Sequence, residues 1–192
     1  MTIKLIVGLG NPGDQYVDTR HNIGFKFINQ LIKCSQSDVV KKVKHKSQLY
    51  KIILQGQPVM CIKPQTYMNL SGDAVRLVAD FYQIKPTEIC VVTDDLDIEF
   101  GTVRFRKKGG AGTHNGMKSV IEQLGTQDFL RLRLGIGPKP PYMDAKDFVL
   151  ARFLDQEQQQ LPDFLALVAA TLSDCLDKDV DLIMSAVNKK YF

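Results

Sequence analysis

Short apolar runs alternate along the chain with longer stretches in which apolar residues return every three or four positions. Residues 3–8 (IKLIVG) are β-branched and almost continuously apolar, the pattern of a strand covered on both faces. After a glycine-rich turn, Ile23, Phe27 and Leu31 recur at helical spacing behind Thr19 as N-cap, which places His21 in the first turn of that helix. Residues 48–55 and 58–63 flank Gly56-Gln57 and read as a hairpin. Val75, Val78, Ala79 and Tyr82 mark a second amphipathic helix, with Ser71 as its cap. Residues 88–94 (EICVVTD) form another buried strand, 102–106 a short one and 130–136 (LRLRLGI) an alternating one. Between the last two lie a glycine-rich loop, 107–112, and a helix capped by Thr113 that runs to Leu124. Residues 138–142 break the pattern, and the remainder is helical: Leu161, Leu165, Val168 and Leu172 share one stripe, Val180, Ile183 and Val187 another. Strands interleaved with helices predict an α/β fold, a single domain with a twisted mixed β-sheet flanked by helices, in which the hairpin supplies antiparallel pairing.

Composition narrows the class. At 192 residues and 44% apolar content, the expectation is one domain spanning residues 1–192. No window approaches the roughly eighteen consecutive apolar residues of a membrane span, and Met1-Thr2-Ile3-Lys4 leads into a strand-like run rather than a signal peptide, so a cytoplasmic protein is expected. Cys34, Cys61, Cys90 and Cys175 lie far apart, and Cys61 and Cys90 sit inside apolar runs, where they read as small core hydrophobes. With no C-x-x-C, no H-x-x-x-H and scattered histidines, no metal is expected.

Charge is placed unevenly, and that matters more than the net +4. Lys41, Lys42, Lys44, Lys46 and Lys51 make one basic segment; Arg104, Arg106, Lys107, Lys108 and Lys118 make a second with no acid among them. Asp155, Glu157, Asp163, Asp174, Asp177, Asp179 and Asp181 make the C-terminal part acidic. A polyanionic partner would therefore meet the middle of the chain.

Gly8-Leu9-Gly10-Asn11-Pro12-Gly13 is a literal G-x-G-x-x-G after a strand, yet it departs from a dinucleotide site. Residues 14–18 separate it from the helix, Pro12 removes a backbone N–H, and Ile28, Asn29 and Gln30 stand where a ribose-binding acid belongs. The loop reads instead as a rigid turn that aims Asn11 toward His21. Tyr67-Met68-Asn69-Leu70-Ser71-Gly72, Asp94 at a strand end, and Gly112-Thr113-His114-Asn115-Gly116 at a helix start each add a polar group at the end of an element. No G-x-S-x-G and no exposed cysteine beside a base offers a nucleophile. An imidazole, an acid to orient it and neutral carboxamides suit a His–Asp pair that activates water.

These blocks, with Tyr16, Thr19-Arg20-His21-Asn22, Asp94-Asp95-Leu96-Asp97 and residues 131–137 (RLRLGIG), fall in the order found in bacterial peptidyl-tRNA hydrolases, which the chain resembles over nearly its whole length. The resemblance implies a monomeric enzyme, needing no metal or cofactor, that hydrolyses the ester between a peptide and tRNA. It implies His21 as general base, Asp94 as the carboxylate that orients it, and Asn11 as the residue that tells a blocked from a free aminoacyl group. Tyr16, Tyr67, Asn69, His114 and Asn115 match substrate-contacting segments, and Arg104, Arg106 and Arg133 are the candidates for the tRNA backbone. Many members carry glycine where Thr113 stands and phenylalanine where Tyr67 stands. The competing readings are a catalytically silent RNA-binding relative and an NAD-dependent oxidoreductase.

Overall fold

A computed structural model describes residues 2–192; Met1, which begins the segment expected to lead into the first strand, lies outside them. The strands are β1 (Leu5–Gly8), β2 (Val40–Lys44), β3 (Ser47–Leu54), β4 (Gln57–Pro64), β5 (Ile89–Glu99), β6 (Val103–Arg106) and β7 (Leu130–Gly137). The helices are α1 (Ile23–Lys33), α2 (Ser71–Phe81), α3 (Asn115–Leu124), α4 (Ala145–Leu150), α5 (Asp155–Asp174) and α6 (Val180–Val187). All the strands join one sheet in the order β2-β3-β4-β1-β5-β7-β6. The central β4, β1, β5 and β7 run parallel, and β2, β3 and β6 pair antiparallel, so the sheet is mixed as the sequence predicts.

Strand alternation divides the apolar core between the two faces of this sheet. Ile6, Val92 and Leu132 pack with Phe27 and Leu31 of α1, Phe164 of α5 and Ile183 of α6. Leu5, Val7 and Val91 pack with Val75 and Val78 of α2 and Val120 of α3. Cys61 and Cys90 belong to the first layer as free thiols, and burial pushes both thiols well above their ordinary pKa.

Local chemistry explains where the elements depart from their expected bounds. β2 carries no apolar face, since all five residues are exposed, so its periodicity gave no signal; its lysines guard a sheet edge against further pairing. The hairpin turn places Gln55 and Gly56 at positive φ, the conformation that matches strand twist in tight hairpins. β5 continues past Asp94 to Glu99 because its backbone goes on pairing with β7 through a register shift, although its side chains turn acidic. His21 lies in a separate 3-10 turn, Arg20–Asn22, that leads into α1 rather than in its first turn. Thr19 precedes that turn, and its hydroxyl donates backward to the Tyr16 carbonyl at 2.8 Å instead of capping. Ser71 is already inside α2, its hydroxyl donating to the Met68 carbonyl at 2.9 Å, and Leu70 holds the cap position. Thr113 does not cap α3; His114 does, its Nδ1 accepting the Met117 N–H at 3.2 Å.

A backbone-to-backbone approach sets the position of α1. A methyl group on Gly8 would lie 2.3 Å from the Gly24 carbonyl oxygen, and one on Gly24 would lie 2.4 Å from the Leu9 carbonyl oxygen. Neither partner is a flexible side chain, so the helix can approach the end of β1 this closely only because both residues lack Cβ. The turn carrying His21 is thereby held over the C-terminal ends of the parallel strands. Gly24→Ala should lower stability by about 1–3 kcal/mol, the usual cost of overpacking. Denaturant unfolding checks this, and a midpoint matching wild type would show that the helix can move away from the strand at no cost.

Candidate active site

The cleft at that end of the sheet has a volume of about 630 Å³ and is lined from several elements at once. The loop after β1 supplies Asn11 and Tyr16, the turn before α1 His21, the turn before α2 Tyr67 and Asn69, β5 Asp94, and the start of α3 His114 and Asn115. Arg106 of β6 and Arg133 of β7 also line it, with Lys108 and Lys146. Arg104 does not reach the lining; it sits further along β6, opposite Arg133 in the β6–β7 ladder.

The Asp94 carboxylate is 5% exposed and meets two imidazoles. His21 Nδ1 lies 2.9 and 3.0 Å from its two oxygens, and His114 Nε2 lies 3.0 Å from Oδ1. Burial alone would push this carboxyl up; attraction to His21 and His114 and their hydrogen bonds outweigh it and hold the group below the ordinary aspartate range. An ionised carboxylate can only accept, so both ring nitrogens facing it must donate. His21 therefore carries its proton on Nδ1, and its Nε2 is left as an accepting nitrogen in a ring that lines the cleft. His21, Asp94 and His114 each offer a ligand atom within 4.8 Å of the others, the nearest approach to a metal-ligand grouping among the described residues. Their facing atoms are engaged in hydrogen bonds to one another.

Asn11 is held on three sides. Its backbone N–H donates to Asn22 Oδ1 at 2.8 Å, its carbonyl accepts from Asn22 Nδ2 at 2.9 Å, and its own Oδ1 accepts the Met68 N–H at 2.7 Å. The Met68 N–H needs an acceptor, which fixes the carboxamide's orientation and leaves its NH₂ as the group free to serve the cleft. Met68 follows Tyr67, whose φ of 60° is rare for a residue with a side chain. The Tyr67 ring meets Tyr16 edge-on at 6.3 Å. Asn69 and Asn115 are exposed at the cleft wall.

Several supporting residues escape a reading of the sequence alone. Arg20, 3% exposed, pairs with Glu157 at 2.6 Å, bonds the Arg152 carbonyl and stacks between Phe148 and Phe153, tying the His21 turn to the start of α5. Asn22 clamps the Asn11 backbone. Arg20 and Asn22 flank His21 along the chain, but nothing local shows which partners they find. Arg131 is buried under the glycine-rich loop and donates to the Gly110 carbonyl at 2.6 Å; burial and the neighbouring Arg133 lower its pKa to about 10. Arg133 pairs with Asp95, and burial pushes the Asp95 carboxyl up despite that guanidinium.

Comparison with known proteins identifies the family. The model of the peptidyl-tRNA hydrolase family matches residues 5–192. The peptidyl-tRNA hydrolase of Chloroflexus aggregans is 46% identical over 185 residues, 96% of this chain and 98% of that protein. That of Elusimicrobium minutum is 44% identical over 188 residues, 97% of this chain and 100% of its own length. A crystal structure of peptidyl-tRNA hydrolase from Acinetobacter baumannii aligns with a TM-score of 0.90 at 33% identity, over 98% of this chain and 96% of that one. Matched across nearly its whole length by sequence and by fold, the chain belongs to the peptidyl-tRNA hydrolase family.

Proposed function

We propose that this enzyme, which cleaves the ester between a peptide and tRNA as its family does, works by a His21–Asp94 pair that activates water. The observation that carries the reading is the pairing of His21 Nδ1 with Asp94, which leaves Nε2 free to accept a proton. As the water oxygen bonds to the ester carbonyl carbon, its proton passes to Nε2, and the carbonyl π electrons move to oxygen. Collapse of that intermediate breaks the carbon–oxygen bond to the ribose, and the imidazolium returns the proton to the departing hydroxyl. Asp94 stabilises the imidazolium while it exists.

The carboxamides supply neutral donors. Asn11 offers its NH₂, and Asn69 and Asn115 stand at the cleft wall, placed to serve the developing oxyanion or the peptide. A blocked aminoacyl group presents a neutral amide and a further carbonyl, whereas a free α-amine is cationic and cannot satisfy a donor from Asn11. Tyr16 and Tyr67 give the adjoining wall an aromatic surface. Arg106, with Lys108 and Lys146, provides cations at the rim for phosphates, and Arg104 extends the charge along β6; Arg133 serves less directly, because Asp95 already pairs with it. The enzyme acts on this reading as a cytoplasmic monomer without metal, and no helix among the described residues is long and apolar enough to cross a membrane.

The direct experiment incubates the protein, with EDTA present, with N-blocked and unblocked aminoacyl-tRNA and follows loss of ester from each. The blocked substrate is expected to be cleaved and the unblocked one largely spared; equal rates would remove the role given to Asn11, and loss of activity with EDTA would remove the metal-free mechanism. His21→Ala should lower kcat/KM by at least about a hundredfold while tRNA still binds, in keeping with the loss of a general base. Activity near wild type would assign the base elsewhere. Replacing Arg104 and Arg106 with Gln should raise KM and reduce the slope of log KM against log salt by about 1–2, roughly one for each phosphate no longer neutralised. An unchanged slope would place the RNA on another face.

A further inference from the structure

We infer that His114 is a positioning residue rather than a substrate ligand: locked to the start of α3, it donates a second hydrogen bond to Asp94 and so limits how strongly that carboxylate holds a proton on His21. The inference deepens the His21–Asp94 mechanism and rests on it for its catalytic consequence.

The geometry gives His114 both nitrogens' partners. Its Nδ1 accepts the Met117 N–H at 3.2 Å, and its Nε2 faces Asp94 Oδ1 at 3.0 Å. Helix N-caps are ordinarily oxygen side chains such as Ser, Thr, Asp or Asn. An imidazole in that place can cap only through an unprotonated nitrogen. The cap thus fixes the tautomer, with the proton on Nε2, and the positive end of the α3 dipole opposes adding a second proton. His114 is consequently a neutral donor of fixed direction, its side chain 13% exposed and its ring 4.9 Å from that of His21.

His21 Nδ1 meets both oxygens of Asp94, at 2.9 and 3.0 Å, and His114 shares one of them, Oδ1. A hydrogen bond that stabilises an anion lowers its attraction for any other proton. Asp94 with two donors therefore stabilises a His21 imidazolium less than Asp94 with one. Without His114, His21 would hold its proton to higher pH and would be a free base over a narrower range. The remaining charged groups of the cleft are Asp95 and Asp97 of β5, Arg106 of β6, Arg131 and Arg133 of β7, Lys108 of the glycine-rich loop and Lys146 of α4. Arg133 is paired with Asp95, and Arg131 is engaged by the Gly110 and Gln127 carbonyls. Among the described residues, the two rings are the hydrogen-bond partners of the Asp94 carboxylate.

Two substitutions separate the cap from the second donor. His114→Asn keeps an acceptor near the place of Nδ1 and caps well, but it is too short to reach Asp94. His114→Gln extends a donor to about the place of Nε2 but gives up the cap. Three readouts apply to each: the NMR titration of the His21 ring, the acid limb of kcat/KM against pH, and Tm. In His114→Asn, the His21 titration and the acid limb should move together to higher pH by about half to one unit, a roughly three- to tenfold change in the protonation equilibrium, with Tm near wild type. In His114→Gln, both should return toward their wild-type positions while Tm falls.

A His21 titration at its wild-type position in His114→Asn overturns the inference, as does an equal shift in both variants. A titration that moves while the acid limb stays fixed supports the coupling of His114 to His21 through Asp94 and sinks instead the assignment of His21 as the base. The two readings thus fail separately.

Discussion

The organising constraint is the burial of one negative charge at the end of β5. A carboxylate 5% exposed is tolerated only if its lone pairs are satisfied, and Asp94 is satisfied by rings brought from two other elements. Each ring is in turn fixed from behind: His21 by a turn anchored through Arg20 and Asn22, His114 by the first turn of α3. Losing both rings together would leave a buried charge without a side-chain partner, which is far more costly than disrupting an interaction at the surface. The same hydrogen bonds that stabilise Asp94 also select the tautomers of both rings. Fold and chemistry are therefore coupled at one carboxylate, that of Asp94.

Around that charge the site is built from backbone rather than from mobile side chains. Gly8 and Gly24 bring α1 onto β1, and Gly72 brings α2 onto α3, where an added methyl would lie 2.1 Å from the Ser119 carbonyl oxygen. Asn11 links the loop after β1 to the turn before α2 by gripping the Met68 N–H, and Asn22 grips Asn11 in turn. Three chain segments, around residues 11, 22 and 68, are thus cross-tied by carboxamides. Such a frame holds the functional groups in place before any substrate arrives, which is what preorganised electrostatic stabilisation requires.

Periodicity makes the α/β class and the mixed sheet legible, because β1 and the first part of β5 are buried on both faces as their apolar runs predict; β7, which reads as alternating, is instead buried on both faces with Arg131 among its buried residues. It fails where side-chain pattern and backbone pairing part company. β2 is a strand with no buried face, and β5 runs on through acidic residues because its backbone still pairs with β7. Serine and threonine near helix starts read as caps in the sequence, whereas Ser71 bonds backward to Met68 and the cap of α3 is a histidine, a residue for which capping is uncommon. The residues expected to meet do so apart from Arg104, which lies beyond the cleft lining. Their supports stay hidden because Arg20 with Glu157 and Arg131 with Gly110 are long-range pairs that no spacing rule encodes.

The distribution of charge over the cleft has its own logic. Its deep part is polar but carries Asp94 as the one ionised group in contact with the His21 ring, whereas Arg106, Lys108 and Lys146 belong to surrounding elements. A cation packed against His21 would oppose the imidazolium that forms when water gives up its proton, and would weaken the base. A polyanionic substrate nonetheless needs cations to bind it. The cations stand on β6, the glycine-rich loop and α4, and Asp94 rather than any of them is the hydrogen-bond partner of the His21 ring, which meets both demands. Under the mechanism proposed above, those cations take the RNA phosphates while the chemistry proceeds beside a carboxylate that favours the protonated ring. On the same proposal, that separation accords with neutral Asn at positions 11, 69 and 115 and with an Arg133 whose charge is offset by Asp95.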